Sequence, residues 1–237
     1  MKKIFFYMMI ATVVLAIACD KEEEGNEGNE VGPNPMTMTT QKSDVTLIMS
    51  GLGTVTIDWG DNTEIETYND LQSPYIYTHV YSGSSIHTVT ITGNHVEQLE
   101  CYGQGVLTLD VSKNPRLYRL YCGYNKITKL DLSNNSVLGK LECYMNDLIS
   151  LDLRNNTELT YVNCHSNLLT NLDFSKNTIL NHIRCENNEL TSSALNAMFG
   201  TLNDITGQTK KLYIRYNPGT NDCDISIAEN KGWNVIN

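Results

Sequence analysis

The sequence predicts a β-rich α/β solenoid preceded by a β-strand segment and closed by an α/β cap. Three observations predict it. Cysteines stand at positions 101, 122, 143, 164 and 185, a constant spacing of 21 residues. Two apolar columns keep the same step: Val96, Leu117, Leu138, Leu159 and Leu180, then Leu99, Leu120, Leu141, Val162 and Ile183. Between residues 44 and 93 the pattern is instead the period-two alternation of strands, as in Val45-x-Leu47, Val55-x-Ile57-x-Trp59 and Val89-x-Ile91. A fixed period above twenty residues marks units that cannot bury a face alone and must stack.

The 237 residues are 41% apolar, enough to bury a core, and carry 17 Lys and Arg against 27 Asp and Glu, a net charge of -10. Phosphate binding needs a basic face, so nucleic acid is excluded as a partner.

Residues 1–18 contain two lysines, an apolar run from Ile4 to Ile17 and small residues before Cys19, which predicts a signal peptide and export. The stretch Leu15-Ala16-Ile17-Ala18-Cys19 resembles the lipobox of bacterial lipoproteins, which implies acylation of Cys19 and a lipid anchor. Ala16-x-Ala18 also fits an ordinary signal peptidase, and both readings cut before Cys19. Residues 19–43, rich in Glu, Gly, Asn and Pro, are expected to form a disordered acidic tether. Asp20, Glu22, Glu23 and Glu24 resemble the export tag of surface-exposed lipoproteins, which implies an outer membrane protein exposed at the cell surface.

The strand-like residues 44–93 form an N-terminal domain or cap. Ile57-Asp58-Trp59-Gly60-Asp61-Asn62-Thr63, followed by His79-x-Tyr81 and Val89-x-Ile91, resembles the immunoglobulin-like domain type named for polycystic kidney disease (PKD-like). At about 50 residues it is short, which points to a partial sandwich fused to the first coil. Asp58, Asp61 and Asn62 have the composition of a calcium loop, but a polar turn closed by Asx hydrogen bonds is the commoner meaning of such a stretch.

Residues 94–190 carry the repeat. Leu117-x-x-Leu120-x-Cys122-x-x-Asn125-x-Ile127-x-x-Leu130-Asp131-Leu132-Ser133-x-Asn135 resembles a short bacterial leucine-rich repeat, and each later coil renews it. The resemblance implies short parallel strands stacked coil on coil, with Asn125, Asn146, Asn167 and Asn188 turned inward onto the backbone. Gln104 replaces the asparagine in the first coil, where a less regular turn is expected. Each coil repeats its frame after ten residues, predicting two strand-like sides, and aligns the cysteines with Val111, Leu132, Leu153 and Phe174.

That alignment decides among the uses of a cysteine ladder. A metal needs three or four ligands converging on one point, whereas stacked strands space a column about 4.8 Å apart in a line. Disulfides prefer Cβ atoms about 3.8 Å apart, and five cysteines cannot pair completely. Packed, unpaired thiols at core positions are expected, with no metal site and no cofactor. Residues 191–237 predict the cap: a helix in "TSSALNAMFGTL" with Ser192 or Ser193 as N-cap, a strand in "KKLYIRYNPG", a short helix ending at Gly232, and a buried Cys223.

The histidines at 79, 87, 95, 165 and 182 accompany no nucleophile motif and no paired metal spacing, so no enzyme is expected. The outward positions beside the cysteines carry Glu100, Tyr121, Glu142, Asn163 and Arg184 before them, and Tyr102, Gly123, Tyr144, His165 and Glu186 after them. Tyrosines on a rigid face bring contact area at low entropic cost, and equally suit half-buried strands. Tyr102, Tyr121, Tyr124, Tyr144, His165 and Arg184 are the expected ligand-binding residues. The family resemblance implies recognition or adhesion at the cell surface, with a protein as ligand. A glycan-binding component of a surface nutrient-uptake system and a structural envelope protein are the alternatives. Asp110, Asp131, Asp152 and Asp173 form a column of like charge, which nearby serines and lysines, or a divalent cation, would have to offset.

Overall fold

A computed structural model describes residues 35–237, apart from Ser84, Asn94, Ile205, Thr206 and Gln208. The expected signal peptide, Cys19 and the expected tether as far as residue 34 lie outside the described residues. In chain order the strands are β1 (Pro35–Thr40), β2 (Asp44–Gly51), β3 (Val55–Asp58), β4 (Glu66–Tyr68), β5 (Tyr75–Val80), β6 (His87–Thr92), β7 (Val96–Glu100) and β8 (Val106–Asp110). Then follow β9 (Arg119–Tyr121), β10 (Lys140–Glu142), β11 (Tyr161–Asn163), β12 (His182–Arg184), α1 (Ser192–Thr201), β13 (Lys210–Tyr213), α2 (Ser226–Glu229) and β14 (Trp233–Ile236).

The repeat folds as a leucine-rich stack. Strands β7 and β9 to β12 pair in parallel, with Leu99, Leu120, Leu141, Val162 and Ile183 opposite one another. These residues and the cysteine column are all fully buried, and the cysteines are unbridged. Cysteine thus shares the interior with Val111, Leu132, Leu153 and Phe174, its partners from the half-repeat.

Inside each bend an asparagine replaces the hydrogen bonds a strand would have made. The Asn146 Nδ2 donates to the carbonyls of Cys122 and Cys143, both at 3.0 Å, while its Oδ1 accepts from the Ile127 N–H at 2.9 Å. Asn125, Asn167 and Asn188 repeat the arrangement. Gln104 departs from it because no coil precedes its own. Its longer side chain accepts from the Thr46 N–H at 2.9 Å and from Lys42 at 3.4 Å, tying the first coil to the front segment.

Both flanks of the first coil continue into that segment. β7 pairs antiparallel with β2, giving the sheet β14-β13-β12-β11-β10-β9-β7-β2-β5, and β8 pairs antiparallel with β1, giving β4-β3-β6-β1-β8. The tether expected as far as residue 43 therefore ends earlier. Pro35–Thr40 is a mid-sheet strand whose Met36, Met38 and Thr40 point into the core. Its alternation, "PMTMTT", was hidden by a polar-looking neighbourhood and by methionine's weak strand preference.

The expectation of two strand-like sides per coil is met only in the first, where β1 supplies a partner for β8. In later coils the second side has no strand ladder and is held by bonds such as Asp147 N–H to Ile127 O at 3.0 Å and by the buried Asn135, Asn156 and Asn177, each donating to two carbonyls of the coil before. In the cap, α1 buries Leu195, Met198 and Phe199 as its spacing predicts, but its N-cap is Thr191, whose Oγ1 accepts from the Ala194 N–H at 3.2 Å. Cys223 is half-buried, not buried, because it packs against the edge of the core in the turn that precedes the short α2. The cap also hides a further coil. Leu212-x-Ile214-x-x-Asn217 renews the frame of Ile183-x-Cys185-x-x-Asn188, but 29 residues later instead of 21, with α1 as the insertion. Asn217 donates to Cys185 O at 2.9 Å, as the earlier bend asparagines do to the coil before them.

Candidate functional site

The outward face of the parallel strands gathers the predicted binding residues. Tyr102, Tyr144 and His165 occupy one column, directly after the cysteines, and Tyr121 and Arg184 the column before them. Stacking spaces residues of a column by one strand, close enough for rings to meet. The Tyr144 and His165 rings stack with centroids 4.8 Å apart, and Tyr102 lies 5.8 Å from both Tyr124 and Tyr144. Tyr102 and Tyr144 come from coils two apart, and they meet because Gly123 stands between them. A Cβ there would lie 2.8 Å from the Tyr144 ring. Gly123 is therefore covered rather than outward, and it is what lets the two rings lean together.

Two other expected outward positions are also covered. Asn163 is buried, and Glu186 is folded against the sheet by Arg184, whose Nη2 lies 2.7 Å from its Oε1. Arg184 also sits 5.3 Å above the Tyr213 ring. It is thus braced by a carboxylate on one side and an aromatic face on the other.

A second aromatic group was not among the expected site residues. Tyr161 and His182 stack at 4.8 Å, and Tyr213 follows His182 at 5.4 Å. Tyr213 was out of reach because it belongs to the coil beyond the helix insertion; the Leu212-x-Ile214-x-x-Asn217 frame was the signal that would have found it.

Burial shapes the titration of this face. It pushes the Tyr144 hydroxyl up to about 12, helped by Tyr102, and holds His165 and His182 below the ordinary imidazole value. Burial and the Glu100 carboxylate raise Glu142. At neutral pH the column therefore offers neutral rings, flanked by Arg184 and by acids on neighbouring strands.

The residue before each bend amide has positive φ: Gly103 (65°), Tyr124 (57°), Met145 (49°), Ser166 (55°), Asn187 (51°) and Tyr216 (61°). Left-handed backbone costs an ordinary L residue roughly 1–2 kcal/mol, and glycine or asparagine much less. Tyr124 is 58% exposed and Met145 43%, so burial of their side chains recovers little of that cost.

The other candidate sites resolve into local structure. The Asp58 Oδ1 accepts from the Gly60 N–H at 2.9 Å, and the Asp61 Oδ1 from the Thr63 N–H and hydroxyl at 3.1 and 2.6 Å, the Asx-closed turn expected there in preference to a calcium loop. The Asp61 Oδ2 meets His79 at 2.7 Å, and His79 stacks on Trp59. In the aspartate column, Asp110, Asp131 and Asp173 accept the N–H groups of Ser112, Ser133 and Ser175, and Asp152 pairs with Arg154 at 2.7 Å. Among the described residues no cluster of three or more His, Cys, Asp or Glu side chains is placed to hold a metal ion. Burial pushes the Cys101 and Cys164 thiols up to about 12 and raises the other ladder thiols, the opposite of what a nucleophilic or redox cysteine needs.

No family model matches the chain, and no curated protein matches it. Among solved structures, 56% of the chain is similar to "Functional domain of InlJ from Listeria monocytogenes includes a cysteine ladder", at 27% identity and a TM-score of 0.45. The match covers 32% of that chain, so this protein spans about a third of it. Internalin C2 from Listeria monocytogenes is similar over 60% of this chain and 81% of its own, at 16% identity and a TM-score of 0.37.

Proposed function

We propose that this chain is a non-enzymatic recognition or adhesion protein of the cell surface that binds a protein ligand through the outward strand face of its repeats. The observation that carries the reading is the continuous ring column Tyr102–Tyr144–His165, kept closed by Gly123 and bordered by the braced Arg184. Such a face is rigid, amphipathic and already ordered, so binding costs little entropy. Tyr102 is 49% exposed and Tyr144 and His165 are half-buried against one another, so the column is held in place by stacking while leaving ring surface open to a partner. In this reading residues 1–18 are a signal peptide, Cys19 carries the lipid anchor of an outer membrane lipoprotein, and the front strands are a PKD-like module holding the repeats away from the membrane.

The test is an array of extracellular proteins and purified polysaccharides probed with the chain and with a Tyr144→Ala/His165→Ala variant. Saturable binding to a protein, weakened at least tenfold in the variant with an unchanged melting temperature, supports the reading. The same half-exposed ring faces also favour a sugar, and binding confined to polysaccharides would move the assignment to glycan uptake. Binding to neither, or binding indifferent to the variant, would leave a structural envelope role.

A further inference from the structure

We infer that the cleft where the front segment meets the strand face binds an acidic side chain and a neighbouring apolar side chain on an extended segment of the protein ligand. The inference rests on the recognition reading of the strand face and names the chemistry of the partner at one end of it.

The cleft has a volume of about 410 Å³ and is lined by Lys42, Gly103, Tyr124, Lys126 and Met145, with Gly105 and Asn125 completing it. Its floor is apolar and no carboxylate among the described residues lines it, in a chain whose net charge is -10. Two ammonium groups beside an apolar floor suit a ligand that carries a negative charge and an apolar body together. A simple anion would leave the floor unused, and a purely apolar ligand would leave both lysines to water. The Lys126 ammonium has no ion pair or hydrogen bond among the described residues, and that of Lys42 has one long contact, 3.4 Å to Gln104.

The bend position supplies the cleft's apolar side chains. Tyr124 and Met145 adopt left-handed conformations that glycine fills one coil earlier at Gly103. The bend imposes this conformation in every coil, at Ser166, Asn187 and Tyr216 as well, and of the side chains that bear it only those of Tyr124 and Met145 line the cleft. Continuity with the face is direct, since Tyr124 contacts Tyr102 at the head of the ring column.

The test is selection of a random twelve-residue peptide display library on the full chain. Selected peptides are expected to place Asp or Glu within two positions of Leu, Phe or Trp. On a Lys42→Glu/Lys126→Glu variant the same apolar residues should appear beside Lys or Arg. Tyr124→Gly should keep or raise the melting temperature while weakening the best peptide at least tenfold by fluorescence anisotropy. Peptides without an acidic excess, or the same sequences selected on the charge-reversed variant, overturn the inference. Peptides indifferent to Lys42, Lys126 and Tyr124 but lost on Tyr144→Ala overturn it and leave the strand face standing. Failure to select any peptide, together with an array that shows no protein binding, sinks both.

Discussion

At the cysteine position a thiol takes the place of a leucine, and its chemistry is reduced to that of a small apolar group. Cys143→Ala should cost about 1–2 kcal/mol for the lost sulfur contact and the small void. Cys143→Ser, closer in shape, should cost more, about 2–3 kcal/mol, because a buried hydroxyl would be left to compete for backbone already bonded. Urea unfolding of the two variants checks the order; serine milder than alanine would contradict a packed thiol. In the native protein a thiol reagent should label Cys223 well before any ladder cysteine, since burial raises the ladder thiols and hides them. The asparagines contribute through bonds rather than area. Asn146→Ala leaves the Ile127 N–H without its acceptor and takes one of two asparagine donors from each of the Cys122 and Cys143 carbonyls, and should cost about 2–3 kcal/mol. Both columns were legible in the sequence because a fixed spacing repeats them. Gln104 was legible only as an irregularity, since its partners Thr46 and Lys42 lie about sixty residues away in sequence.

At the scale of elements, the strands of the coils were readable from their periodic columns, whereas pairing between distant segments was not. β1 shows this: its six residues acquire meaning only from β6 and β8, which bracket it. Short-range signals did locate α1, missing its cap by one residue. The turn at Asp61 has a pH signature. Hydrogen bonds from Thr63 and then His79 hold its carboxyl at about 2, below the ordinary 3.8. A depressed carboxyl contributes stability in full above its unfolded value and loses it as pH falls through the folded one. The urea midpoint should therefore drop between about pH 4 and pH 2, and Asp61→Asn should flatten part of that drop; Asp152, held at about 2 by Arg154, and Asp131 and Asp173, lowered by Ser133 and Ser175, also contribute. Within the strand face, Gly123→Leu would drive a side chain into the Tyr144 ring. It should separate Tyr144 from Tyr102 and weaken ligand binding at least tenfold, read by the same array and by loss of tyrosine ring-current shifts in NMR.

For the whole molecule the front strands and the repeats share two sheets, so neither end of the interface can be removed cleanly. A fragment starting at residue 44 loses β1, uncovers β6 and β8 and bares the pockets filled by Met36 and Met38. It should aggregate or unfold at least 10 °C below a fragment starting at residue 34, measured by calorimetry. Sequence alone placed the three regions in order but put the first boundary inside a strand-bearing segment, because a sheet's membership is decided by contacts and not by local composition. The junctions, however, use only the outermost coils: β2 and β1 grip the first, and β13 continues the last. Everything between them is translation by one identical step, in which each coil presents to the next the same carbonyls it receives from the one before. The reach of the molecule is therefore a countable quantity. Copying residues 138–158 in tandem would insert one more coil, lengthen the ring column by one tyrosine and leave both ends undisturbed, so that chains of different span could arise from a single in-frame duplication.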